Sequence, residues 1–240
     1  GRGCAEALAE AGVALVLNAR GAEALEATAD AIRQKFGVPV TTVAADITTE
    51  AGRAEALAAA GDVDILVTNA GGPPPGMWSD WERDDFIRAL DANMLTPIAL
   101  MKALLPGMIA RGWGRVVNIT SASVRSPIPI LGLSNAARSG LTGYVAGTAR
   151  QVAPHGVIIN NLLPGIHDTD RADALDRGVM QAEGISMDDA RKARMQTIPA
   201  RRYGQPSEFG AACAFLASQH AAFMVGQNIL LDGGAFNATM

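Results

Sequence analysis

The sequence predicts a doubly wound α/β fold: a parallel sheet with helices on both faces, three layers in a single domain. Three observations carry this reading. Apolar runs of about four to eight residues, continuous rather than alternating, recur along the chain, as strands buried on both faces require. Amphipathic helical stretches separate them, which is the spacing of βαβ units. Polar or glycine-containing clusters follow the strand ends, where open α/β sheets carry their sites. The 240 residues, 49% hydrophobic and 18% charged, suit one such domain.

The elements follow in order. GRGCAEALAEAG reads as a helix over Arg2–Glu10, stopped by Gly12. A strand covers Val13–Asn18 and ends at Ala19-Arg20. Ala22–Phe36 is an amphipathic helix closed by Gly37, and Val40–Ala44 is a strand leading to Asp46-Ile47. Asp46 is also a candidate N-cap for a helix over Glu50–Ala60. The strand Asp64–Thr68 runs into Asn69-Ala70-Gly71, then into GGPPPGMW, a stiff loop. A long apolar helix spans Glu82–Ala110, carries Asn93, and should bend near Pro97. The strand Arg115–Thr120 delivers Ser121 to its carboxyl end. A helix over Asn135–Val152 and a strand over Val157–Asn161 complete a βαβ unit, and Pro164-Gly165 follows. A polar, partly helical insertion occupies Arg171–Arg202. A helix over Ser207–Ser218 and a strand over Asn228–Leu231 close the fold.

Composition narrows the partners. A net charge of −4 argues against nucleic acid or an anionic membrane surface. No apolar run reaches the roughly 18 residues that span a bilayer, and the expected location is the cytoplasm. Cys4 and Cys213 lie in helical patterns among alanines and read as reduced core residues. No Cys, His and carboxylate spacing supports a metal site.

The run GRVVNITSASVRSPIPILGLSNAAR from Gly114 to Arg138 carries a family signal. So do Asn69-Ala70-Gly71, Asn93, Pro164-Gly165 and Asp232-Gly233-Gly234, in that order along the chain. Together they resemble the short-chain dehydrogenase/reductase family over essentially all 240 residues, and 3-oxoacyl-carrier-protein reductases in particular. The resemblance implies a Rossmann-type domain, a nicotinamide cofactor, a small carbonyl or alcohol substrate, and a homotetramer or homodimer. It places Gly1 as the last glycine of a phosphate-binding turn, so about 15 to 20 residues bearing a strand and that turn are expected ahead of it. Without that strand the sheet would open by about two spacings of roughly 4.8 Å. The resemblance also assigns Asp46 and Ile47 to the adenine and Asn69, Ala70 and Gly71 to the ribose. Pro164, Gly165 and Thr169 fall to the nicotinamide, and residues 166–202 to a substrate lid. Arg20, following Ala19 where an acid would favour NAD, points to the 2′-phosphate of NADP(H) or else is a solvated loop residue.

The catalytic set departs from the pattern. Ser121 matches the family serine that steadies the substrate oxygen, and Asn93 the asparagine that holds a water. Ser134 stands where the family has its proton-donating Tyr, and Arg138 where it has the Lys that tunes that Tyr and grips the ribose. A serine hydroxyl is a far weaker acid than a phenol, and Arg does not deprotonate. His167, after Pro164-Gly165, is an alternative proton carrier. Two function classes stay open: an NADP(H)-dependent ketone or alcohol oxidoreductase, and a cofactor-binding protein of the same fold with little chemistry. Ala136, Ala137, Gly140, Gly143 and Gly147 recur at three- and four-residue steps, a smooth helix face suited to a second subunit.

Overall fold

Six strands and nine α-helices alternate among the described residues, 1–238, of a computed structural model. In order they are α1 (Arg2–Glu10), β1 (Leu15–Ala19), α2 (Ala22–Phe36), β2 (Val40–Ala44), α3 (Glu50–Ala60) and β3 (Ile65–Thr68). Then come α4 (Arg83–Leu90), α5 (Thr96–Arg111), β4 (Gly114–Ile119), α6 (Gly132–Val152) and β5 (Val157–Pro164). The last are α7 (Asp170–Glu183), α8 (Met187–Gln196), α9 (Pro206–Ala217) and β6 (Asn228–Leu231). Every strand pairing is parallel.

The continuous apolar runs of β4 and β5 are explained by two-sided burial. Val116 and Ile159 face a core built with Met101, Met108, Leu141 and Val145 from α5 and α6. Their neighbours Val117 and Leu162 face the opposite core, with Cys4 of α1 and Phe209, Cys213 and Leu216 of α9. Helices therefore cover both faces, the three layers that the sequence predicts. Both cysteines are buried free thiols in this second core.

The strands form two sheets, not one: β1 pairs β2, and β3-β4-β5-β6 form a second. Between β1 and β3 lies a cavity of about 980 Å³, lined by Leu15, Leu17, Ile65 and Val67 among others. Helices bridge the division. A Cβ on Gly210 of α9 would collide with the Gly3 carbonyl of α1, and one on Gly3 with the Pro206 carbonyl, so the two backbones touch directly. This crossing fixes where the N-terminal amides of α1 point, which matters for the site below.

Several local expectations are corrected. The helix expected over Glu82–Ala110 is interrupted by a π turn at Asp91–Leu95. Pro97 sits in the first turn of α5, where its missing N–H is tolerated. The continuous helical run Arg83–Arg111 is apolar and long enough to cross a membrane by composition alone, yet Met101, Leu105 and Met108 are buried against β4, β5 and α6. Asp46 does not cap α3. Thr49 does, accepting from the Gly52 amide at 3.0 Å, while the Asp46 carboxylate accepts from Thr48 N–H and O–H at 3.0 and 2.8 Å. On α6, Ala137 is fully buried beneath the helix. Of the five small residues, Ala136, Gly140, Gly143 and Gly147 are exposed.

Candidate active site

The carboxyl ends of β3, β4 and β5 and the N-terminal turns of α1 and α6 converge on one region. Ser121 follows β4 and caps the short 3-10 turn Ala122–Val124, its Oγ accepting the Ser123 amide at 3.1 Å. With that lone pair engaged, the hydroxyl proton is free to be donated outward.

Arg138 and Ser134 stand one turn apart on α6, both buried. Arg138 donates through Nε to Ser134 Oγ at 3.2 Å, through Nη1 to the Ile119 carbonyl at 2.9 Å, and through Nη2 to the Ala70 carbonyl at 3.4 Å. The guanidinium thus fastens the end of β4 to the loop after β3. Burial, reinforced by the charge of Arg171, lowers its pKa to about 10, so it remains a cation at neutral pH. Thr68 donates to Asn118 Oδ1 at 2.7 Å and ties β3 to β4 within the core.

Asn93 lies in the π turn, a helical irregularity frequent at functional sites. Its Nδ2 reaches the Ala89 carbonyl at 3.4 Å, and its Oδ1 is buried with no partner among the described residues. Asn93, Arg138, Asn69, Ala70, Ile47 and Gly1 all line the cavity between the sheets. Gly1 is the N-cap of α1, and a Cβ there would come within 2.9 Å of Asn69 Nδ2. A dinucleotide fits this ground: helix amides at the start of α1 for its phosphates, a glycine that leaves room for the Asn69 side chain, and an unsatisfied Asn93 oxygen.

Arg20 and Asp46 are exposed beyond β1 and β2. The Thr48 amide and hydroxyl hold the Asp46 carboxyl below its usual range, with a smaller contribution from nearby Arg20. Gly71 is exposed at the end of the Asn69-Ala70-Gly71 segment. Gly165 follows β5, donates to the Leu231 carbonyl at 2.8 Å, and packs so closely that a Cβ would lie 2.6 Å from Asp232 Cα. Asp232 accepts from the Gly234 and Phe236 amides, which stiffens the floor beneath Pro164-Gly165. Thr169 is the N-cap residue of α7, its hydroxyl donating to the His167 carbonyl at 3.3 Å.

Neither remaining proton carrier serves the site. His167 packs edge-on against Phe209, 5.1 Å between ring centroids, with Nδ1 3.3 Å from the Gly165 carbonyl. Burial lowers its pKa, partly opposed by the Gly165 carbonyl and Glu208. The folded state therefore favours neutral imidazole. That contribution to stability is full above the unfolded value of about 6.5 and is lost as pH falls through the lower folded value. The melting temperature should drop on acidification below about pH 6.5, and less so in His167→Gln. A profile of the same shape in both proteins would contradict this.

Tyr203 donates to both carboxylate oxygens of Asp176, at 2.8 and 3.0 Å. Asp176 is fully buried and also accepts from Arg194 at 2.6 Å. Burial and Asp176 push the phenol up to about 12, too weak an acid for general catalysis. This network, joining α7, α8 and the segment after them, escapes sequence reading because Asp176 is one of many acids on a polar helix. Arg171 was missed for the same reason. It reaches from α7 to the Gly72 and Pro73 carbonyls, at 3.4 and 3.3 Å.

Comparison with known proteins agrees with the geometry. A family profile described as enoyl-(acyl carrier protein) reductase matches residues 1–235. The 3-oxoacyl-[acyl-carrier-protein] reductase FabG of Vibrio cholerae is 32% identical over 231 residues, covering 95% of this chain and 80% of its own. The acetoacetyl-CoA reductase of Cupriavidus necator is 33% identical over 176 residues, 72% of this chain and 66% of its own. Among solved structures, L-sorbose reductase from Gluconobacter frateurii, complexed with NADPH and L-sorbose, superposes with a TM-score of 0.93 at 26% identity, over 99% of this chain and 92% of that one. The chain belongs to the short-chain dehydrogenase/reductase family, a family of nicotinamide-dependent oxidoreductases.

Proposed function

We propose that this protein is an NADP(H)-dependent oxidoreductase interconverting a ketone, with 3-oxoacyl compounds the first to test, and a secondary alcohol. The observation that carries the reading is the buried Arg138–Ser134 hydrogen bond, whose guanidinium also holds the Ile119 carbonyl two residues before Ser121. When bound, the cofactor supplies or accepts the hydride. Gly1, Ile47, Asn69 and Ala70 hold it, with Arg20 and Asp46 at its adenosine end. Gly71, Pro164, Gly165 and Thr169 flank its nicotinamide end.

The chain's own residues then handle charge. Ser121, its lone pair engaged by the Ser123 amide, donates its proton to the substrate oxygen. Arg138 N–H polarises Ser134 Oγ, which orients that hydroxyl proton toward the same oxygen. Two preorganised donors backed by a buried cation stabilise a developing alkoxide electrostatically. Transfer of a proton from a strong acid is lacking, and solvent completes it, with Asn93 holding the delivering water. The domain acts as one unit over residues 1–240 in the cytoplasm, with 166–202 as the substrate lid. The second reading, a cofactor-binding protein with little chemistry, is favoured by the same absence of an acidic phenol.

NADPH binding followed by fluorescence, then turnover against ketones and 3-oxoacyl thioesters, tests the proposal. Binding with turnover is expected, and binding with none across the panel would favour the second reading. NADPH should bind more tightly than NADH, and Arg20→Ala should weaken NADPH by about 1.5–3 kcal/mol, as for a charge-assisted hydrogen bond. Equal affinity of the unaltered protein for both cofactors would refute that preference.

The protein assembles as a homotetramer or homodimer in this reading. The exposed face of Ala136, Gly140, Gly143 and Gly147 allows close helix approach, and Phe86, Ile87 and Leu95 stand exposed on α4 and the π turn packed against α6. Light scattering at micromolar concentration should give a multiple of 24.8 kDa; a monomeric mass would count against this face.

A further inference from the structure

We infer that the substrate carries a carboxylate, and that Arg171 reads it at the mouth of the site opposite Arg138. The inference rests on the oxidoreductase reading above for the position of the reacting carbonyl. Arg171 lies in the first turn of α7, the first helix of the lid. Its guanidinium reaches the Gly72 and Pro73 carbonyls, while Arg138 reaches the Ala70 carbonyl of the same short loop. Two cations from separate helices thus stand over four consecutive residues, close enough for Arg171 to add to the cost of charge on Arg138.

Arg171 is exposed and Arg138 is buried, and an anion shared by the two would offset the charge that burial leaves unpaired on Arg138. Three other arginines of this region are answered within the chain, while exposed Arg177 and Arg201 form no ion pair among the described residues. Arg191 pairs with Asp168 and Asp173, Arg194 with Asp176, and Arg202 with Glu208. Among the described residues neither Arg138 nor Arg171 forms an ion pair, although Arg138 is 93% buried, its relative exposure being 7%. The Arg171 carbonyl contacts, at 3.3 and 3.4 Å, are long. They leave N–H groups able to turn to a stronger acceptor, and a guanidinium fork matches a carboxylate in shape.

The position favours substrate over cofactor. Arg171 belongs to the lid and faces the loop that enters the proline wall. Arg20, Asp46 and Ile47, where the adenosine phosphate belongs, lie on the far sheet. The class of substrate is therefore a small oxo acid, with the anion supplied by the molecule being reduced.

The test uses matched pairs on the whole protein with NADPH: 2-oxobutanoate, acetoacetate and levulinate, each against its methyl ester, with acetoacetyl-CoA as a phosphate-bearing control. At least one acid should exceed its ester in kcat/KM by about 10- to 100-fold, as one charge-assisted hydrogen bond allows. Arg171→Gln should bring that ratio toward one, and Arg171→Lys should restore part of it. No preference for any acid, in turnover or in binding, would overturn the inference while leaving the oxidoreductase reading intact if the esters are reduced. An Arg171→Gln effect confined to NADPH affinity, or to acetoacetyl-CoA, would also overturn it by moving the anion to a phosphate. If nothing turns over, calorimetric titration of the NADPH-loaded protein decides. Acid bound in preference to ester and lost in Arg171→Gln sustains the carboxylate contact at Arg171, with the reduced substrate then sought among other oxo acids. Failure to bind either sinks the inference.

Discussion

The double substitution Ser134→Tyr with Arg138→Lys should raise ketone reduction by about 10²–10⁴-fold, the usual worth of general acid catalysis. In the proposed mechanism Ser121, Ser134 and Arg138 polarise the substrate oxygen, but none is an acid matched to neutral pH. A phenol at position 134 starts near pKa 10, and an ammonium one turn along the buried face lowers it further. Ser134→Tyr alone should gain less. The Arg138 fork is committed to the Ile119 and Ala70 carbonyls as well as to Ser134, so it is poorly free to follow a longer side chain. Ser121→Ala should remove the gain, since the substrate oxygen would lose its other donor. Steady-state NADPH oxidation of one activated ketone by the four variants checks this. A double variant that folds, binds NADPH and is no faster than the parent would show that the site is not a latent reductase.

Asp176→Ala should cost about 3 kcal/mol of stability, the lower end for breaking a buried ion pair, because Arg194 is partly solvated. The loss leaves the buried Tyr203 hydroxyl and the Arg194 guanidinium without their shared acceptor. For a chain of this size the melting temperature should fall by roughly 6–12 °C. Tyr203→Phe in the Asp176→Ala background should add little, since the two substitutions remove the same hydrogen bonds. Additive losses in that cycle would mean that the Tyr203–Asp176 contact contributes nothing as a pair.

The parts of this fold that the sequence makes legible are those governed by local pattern. β4 and β5 are readable because two-sided burial demands unbroken apolar runs, and Glu50–Ala60 because its pattern and stop lie within one stretch. The cap of α3 was not: Asp46 and Thr49 are both competent, and only the backbone path selects Thr49. The π turn was hidden for a related reason. One extra residue in a helical turn shifts the apolar stripe without breaking it, and Pro97 marks a start as readily as a bend. In the site, Ser121, Ser134 and Arg138 are fixed by their distance along the chain from one strand end. Tyr203 with Asp176, 27 residues apart, and Arg171 with Pro73, 98 apart, are pairings of tertiary packing that no periodicity encodes.

The crossing of α1 and α9 bears on how cofactor occupancy is felt across the domain. Arg20, Asp46 and Ile47 follow β1 and β2, while Ser121, Pro164 and Gly165 follow β4 and β5. Gly3 and Gly210 bring the backbones of α1 and α9 into direct contact, so the amides that open α1 are held rigidly against the helix that packs on β4 and β5. A dinucleotide touching both groups, as proposed above, adds its binding energy, about 2.7 kcal/mol at a hundredfold excess over Kd, to the folded state. The melting point of the domain should therefore climb with cofactor concentration.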